Sequence, residues 1–197
     1  MPVGLEVDGI IFSEMALFDR QSHAATLGRI FTSWSLIEAS IASLLGLMMH
    51  TDHNAALALL GTFKSNSARI DAVRKTGKEL LEASLFNGFD EVMKDVLSYA
   101  EERNAIAHGV WGSSKEKPEI LYHMPMKNFT RFLIETVSRS AEQTLAEVES
   151  FKTAFTTFTL DDLERIEQRG RDVLSRAMAE AMKMSYSRAL ESQTKTK

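Results

Sequence analysis

The chain has 197 residues, 44% hydrophobic and 25% charged, a balance that fits one globular domain with a sizeable core and excludes wholesale disorder. It contains no cysteine, which rules out disulfides and thiolate metal sites and fits a reducing compartment. The formal net charge of −4 argues against a strong nonspecific nucleic-acid binder, which would usually be basic.

Met1 to Glu6 lack the basic start and apolar core of a signal peptide. Residues 1–12 read as a loop or a short strand. From Leu27 onward a helical period is clear, with Leu27, Ile30, Phe31, Trp34, Ile37, Ile41, Leu44, Leu45 and Met48 at steps of three and four. His23 falls before that helix. The most apolar run, Leu36 to Met49, is interrupted by Glu38, Ser40 and Ser43 and reads as too short to span a bilayer. The expectation is a soluble cytoplasmic protein with no membrane partner.

Thr51-Asp52-His53-Asn54 reads as a turn or a new N-cap, not as a metal site, because the His50/His53 spacing is loose and no third ligand is placed. A short apolar segment, Ala55 to Phe63, precedes a helix from about Ser67 to Leu85 with Ile70, Val73, Leu80, Leu81 and Leu85 inward. Asn87-Gly88 reads as a break. The next helix spans about Phe89 to His108 and buries Phe89, Met93, Val96, Ala100 and Ala107. Trp111 to Pro118 is a polar loop and Glu119 to Met124 a strand, so a small hairpin follows. Helix returns from about Asn128 to Phe155 with Leu133, Val137, Ala141, Leu145, Val148 and Phe155 at helical spacing. Thr159 with Asp162 offers a capping box for a last helix carrying Leu163, Ile166, Val173, Leu174 and Met178, before a polar, frayed tail.

Two charge runs stand out: Lys64, Arg69, Arg74, Lys75 and Lys78, and Asp90, Glu91, Asp95, Glu101 and Glu102. Both read as solvated helix faces. The expected fold is therefore all-α, a single-domain helical bundle over 1–197, with a short loop or β-hairpin after His108.

The chemistry-bearing segment is Arg103-Asn104-Ala105-Ile106-Ala107-His108, closed by Gly109. Arginine holds a phosphate with parallel hydrogen bonds, and histidine moves a proton at neutral pH. On a regular helix residues five apart diverge by about 140°, so one copy converges Arg103 and His108 poorly, and two copies across a twofold axis would serve better. A plainer structural reading is that His108 interacts with the helix dipole, Gly109 is a C′ residue, and Arg103 pairs with Tyr99 or a nearby acid. Glu38 sits about 40° from Trp34, at the edge of the apolar stripe, where an unpaired carboxylate would be costly. Either it orients Arg103 or His108, or it pairs with another base such as Arg69 or reaches water. Trp111 is a core residue or a stacking platform beside the motif. There is no phosphate-binding glycine loop, no zinc pattern and no implied cofactor.

This segment resembles the Arg-polar-x-x-x-His motif of the HEPN superfamily (higher eukaryotes and prokaryotes nucleotide-binding domain). The resemblance covers roughly residues 25–155 and includes the placement of the motif at the end of an inner helix. It implies a metal-independent endoribonuclease, often a toxin or antiviral effector, active as a homodimer with facing motifs, and it allows an antitoxin or other regulatory partner. By that resemblance Arg103 and His108 are catalytic, and Asn104 fills the polar position. Some members of the family are instead non-catalytic interaction or nucleotide-binding modules.

Overall fold

The computed structural model describes residues 5–138 and 154–194. It is mostly helical, with a five-stranded antiparallel sheet of order β1-β2-β3-β4-β5 among the described residues. The strands are β1 (Leu5–Val7), β2 (Ile10–Phe12), β3 (Gly109–Ser114), β4 (Leu121–Pro125) and β5 (Thr156–Phe158). The helices are α1 (Gln21–Met49), α2 (His53–Gly61), α3 (Asn66–Leu80), α4 (Ala83–Ala107), α5 (Met126–Ser138) and α6 (Leu160–Thr194). The hairpin expected after His108 is present, as β3 and β4. The purely helical expectation is corrected, because that hairpin is the centre of a sheet whose other strands come from both sides of it in sequence.

The chain divides into two compact units, Met1–Arg29 with Glu102–Glu167, and Ile30–Glu101 with Gln168–Lys197. The boundaries fall within α1, α4 and α6.

The first unit is built on the sheet. Asp8 and Gly9 both have positive φ (52° and 74°), as the two central residues of a tight hairpin turn require, and they join β1 to β2. Ile10 pairs with Ser114 and Phe12 with Gly112, so β2 lies against β3. Val7, Ile10, Phe12, Tyr122 and Met124 form an apolar face on which Phe132 of α5 packs. Phe129 and Phe155 flank this cluster. Phe155 is not the end of a helix: it precedes β5 and packs its ring 5.4 Å from Tyr122. On α5 the inward residue is Phe132, whereas Leu133 is exposed. The expected positions Val137, Ala141, Leu145 and Val148 lie outside the residues whose side chains are described. Arg20 donates to the carbonyls of Ser114 and Pro118 at 3.0 and 3.1 Å and ties down the β3–β4 loop. Thr159 and Asp162 form the expected reciprocal cap at the start of α6, and Thr159 holds the Asp162 carboxyl below its ordinary range.

The second unit is helical. The stripe read from sequence is the buried face of α1, with Ile30, Trp34, Ile37, Ile41, Leu44, Leu45 and Met48 all buried and Phe31 half-buried. The helix starts at Gln21, so His23 lies inside it. At 29 residues it is also longer than its apolar run suggested, and by length and composition it could cross a membrane. Half of its most apolar window is buried inside the protein, as in the central helix of a packed core.

The break expected at Asn87-Gly88 is instead at Leu81, whose backbone is extended, and α4 runs through Asn87 and Gly88. A side chain at Gly88 would press on the buried Glu180 carboxylate, which explains a glycine inside a helix. Leu80, expected inward, is exposed, as is Met178 of α6. Several members of the charged runs are paired: Arg74 with Asp90, Lys75 with Asp71, and Arg176 with Asp95.

Helix α1 ends with His50 at φ 53°, a left-handed residue, while Thr51 and His50 donate back to Gly46 and Leu47. A side chain in that conformation is strained by about 1 kcal/mol or more. His50→Gly is expected to stabilise the protein by about 1 kcal/mol, measured by chemical denaturation; an unchanged or lowered midpoint would refute it.

Candidate functional site

The last turn of α4 and the first residues of β3 carry the sequence motif, and all of it belongs to the first unit. Ile106 is buried and fixes the azimuth of that turn. Arg103 is half-buried, and its Nη1 donates to the Asn104 side-chain oxygen at 3.0 Å. Asn104 therefore contacts the guanidinium directly. His108 is the single residue between α4 and β3. Its carbonyl accepts from the Met126 N–H at 3.3 Å, and its imidazole is exposed, with no hydrogen-bond or ion-pair partner among the described residues.

The helix ends there because of what lies behind Gly109. A Cβ at this position would collide with the His123 ring and the Met124 carbonyl oxygen. Gly109 is not a left-handed C′ residue. Its φ is not positive, it is the first residue of β3, and it pairs with Pro125. Glycine is required here for close approach.

His123 was not singled out by sequence, and no local spacing marks it. It is 2% exposed, lies opposite Trp111 in the β3–β4 register, and its ring centroid is 4.7 Å from the indole. Phe158 of β5 adds an edge contact to Trp111 at 5.6 Å. Trp111 thus belongs to a packed aromatic cluster. The His123 Nε2 is buried with no hydrogen-bond partner among the described residues, and burial pushes its pKa below the ordinary value of 6.5. A buried charge in this unit is likewise unmarked by any local pattern. Glu167 of α6 is buried, and its carboxylate is paired with Arg29 at 3.1 Å, while Arg29 also donates to Thr26.

Glu38 belongs to the second unit and is paired with Arg69 at 3.1 Å. Of the partners considered for it, Arg69 is the one the structure provides. The two side chains are 38% and 33% exposed, so the pair contributes no more than about 1 kcal/mol. Asp52 caps α2 by accepting from the Ala55 N–H, and His53 lies 3.2 Å from the Ser43 hydroxyl. Among the described residues no three His, Asp or Glu side chains gather as metal ligands would.

Chemically, the helix–strand junction offers a solvent-facing imidazole on a fixed backbone and, on the preceding turn, a guanidinium in contact with an amide. Such a set can bind an anion and exchange a proton. Comparison with known proteins finds no matching family model, no matching curated sequence and no matching solved structure.

Two outcomes are expected. Gly109→Ala should destabilise by about 1–3 kcal/mol, the usual effect of overpacking, and His123→Ala should relieve part of that loss in the double variant. Strict additivity in a denaturation cycle would contradict the contact. For pH, folded His123 favours the neutral imidazole more than unfolded His123 does, so the unfolded chain binds the extra proton. Its contribution is complete above about pH 6.5 and is lost as pH falls through that value toward the depressed folded pKa. Stability measured at pH 7.5 and pH 5 should drop less in His123→Phe than in the wild type; equal slopes would refute it.

Proposed function

We propose that the chain is a metal-independent endoribonuclease of HEPN type, a toxin or antiviral effector acting in the cytoplasm as a homodimer. The observation that carries this reading is the exposed imidazole of His108, which has no partner among the described residues and is held at the helix–strand junction five residues after an arginine braced by Asn104. In this unit His123 has the packing role, and the His108 imidazole stays open to solvent.

In this mechanism His108 removes the proton of the ribose 2′-hydroxyl, or delivers one to the departing 5′-oxygen. The 2′-oxygen attacks the adjacent phosphorus, the P–O5′ bond breaks, and the products carry a 2′,3′-cyclic phosphate and a 5′-hydroxyl. Arg103 binds the non-bridging oxygens as negative charge builds on them, and Asn104 orients the guanidinium. One imidazole cannot be base and acid in the same instant. A second copy of the chain, with its own Arg103 and His108, supplies the other role. An antitoxin or similar regulatory protein would act by covering this surface.

The purified protein is expected to cut single-stranded RNA in EDTA and to leave DNA and 2′-O-methyl RNA intact, because those lack the nucleophile. His108→Ala and Arg103→Ala should each lower the rate by about 100-fold or more while the protein stays folded. Full activity in folded His108→Ala, or a requirement for a divalent metal, would overturn the mechanism. Absence of cleavage by the wild type would favour a non-catalytic interaction or nucleotide-binding module.

A further inference from the structure

The second unit contains a cavity of about 260 Å³ that the proposed RNA chemistry does not use. Its walls are apolar: Trp34 and Ile41 of α1, Leu57 and Leu60 of α2, and Ile70 of α3. Trp34, Ile41, Leu60 and Ile70 are buried, whereas Leu57 is 49% exposed and stands at the mouth. The polar lining consists of Glu38, Arg69 and Asn66.

The polar edge is an ion pair that is partly open to solvent. Glu38 Oε1 accepts from Arg69 Nη1 at 3.1 Å. The Arg69 Nε–H is buried and has no acceptor among the described residues. That nitrogen is closed to water, so a ligand in the cavity meets the guanidinium through its terminal N–H groups, the Arg69 side chain being 33% exposed. The carboxylate is acceptor-only and can take further N–H donors. The edge therefore presents a charged donor beside a charged acceptor, and their charges cancel. A cationic or anionic ligand would have to break the ion pair to be neutralised, whereas a neutral molecule can add to it. The neutral group that pairs a carbonyl acceptor with an adjacent N–H donor is a carboxamide or lactam.

We infer that this cavity is a binding site for a small, uncharged molecule with a flat apolar body and a carboxamide or lactam edge. The body lies among Trp34, Ile41, Leu57, Leu60 and Ile70. The carbonyl accepts from Arg69, and the N–H donates to Glu38. A small apolar pocket with a few convergent polar groups is the usual form of a small-molecule site.

The test uses the intact protein and two probes, indole-3-carboxamide and 2-quinolone, with indole and indole-3-carboxylate as matched controls. Titration by calorimetry and by NMR of the Trp34 indole N–H should give saturable binding with dissociation constants below about 1 mM for at least one probe. Indole-3-carboxamide should bind at least about tenfold tighter than either control, the gain from one paired donor–acceptor edge. Arg69→Lys keeps the charge and removes the guanidinium's planar set of N–H donors; it should weaken indole-3-carboxamide about tenfold and leave indole unchanged. Gly61→Trp should abolish binding by filling the mouth. Gly61 also lines the cavity, and a Cβ added there meets nothing within 4 Å, so the variant should keep its thermal midpoint. No saturable binding of either probe, equal affinity for amide and carboxylate, or full affinity in folded Gly61→Trp would overturn the inference. None of these results depends on whether the protein cleaves RNA.

Discussion

The His123 ring and the Met124 carbonyl leave no room for a side chain at residue 109, and this contact decides where α4 gives way to β3. A helix continuing past Ala107 would carry Gly109 away from Pro125 and break the first pair of the β3–β4 ladder. With the ladder in place, the His108 backbone has a strand on one side and the last helical turn on the other. Its carbonyl is further held by the N–H that opens α5. The imidazole thus sits on three immobilised elements and still reaches water. In the proposed reaction an imidazole carried on such a backbone would lose little entropy on engaging a substrate, which is what orientation contributes to a rate.

The two charged pairs illustrate how burial changes the meaning of an ion pair. Glu167 is buried, and losing Arg29 would leave a charge with little water to solvate it. Glu38 and Arg69 are both partly open, so water moderates their attraction and the pair is a weak structural element. The same pair is the charged edge of an otherwise apolar cavity.

Much of the helical part was legible because its signal is local. The stripe from Leu27 to Met48 repeats at steps of three and four, and the structure buries all but Phe31 of those positions. The Thr159–Asp162 cap and the hairpin after His108 were likewise readable from a few adjacent residues. The Asp8-Gly9 turn was equally local but went unread, since the strands flanking it are only three residues each. Asn87-Gly88 misled because a turn dipeptide also fits a helix when a neighbour needs the space, here the Glu180 carboxylate. The rest depended on distance along the chain. Phe155 looked helical until Tyr122 was seen beside it. Arg69 could be named as one base for Glu38 but not chosen over Arg103 or His108, since it lies 31 residues away. The motif residues could be named from their spacing. The histidine that shapes their backbone could not, because its role comes from a strand register that no short window contains.

The register between β2 and β3 has a consequence for how the chain comes together. Phe12 sits opposite Gly112, so all of α1, α2, α3 and α4 lies inside a single excursion between neighbouring strands. Closing a loop of that size costs several kcal/mol in chain entropy before any pairing is gained, and strand contacts so far apart form slowly. On the ribosome the N-terminal hairpin emerges long before its neighbour, and until β3 is synthesised the edge of β2 is open to other extended chains. The helices made in between can gather locally without waiting, so the order of synthesis favours helical collapse first and sheet closure last. A nascent chain halted before residue 109 would hold the whole helical excursion and none of the strand that completes His108.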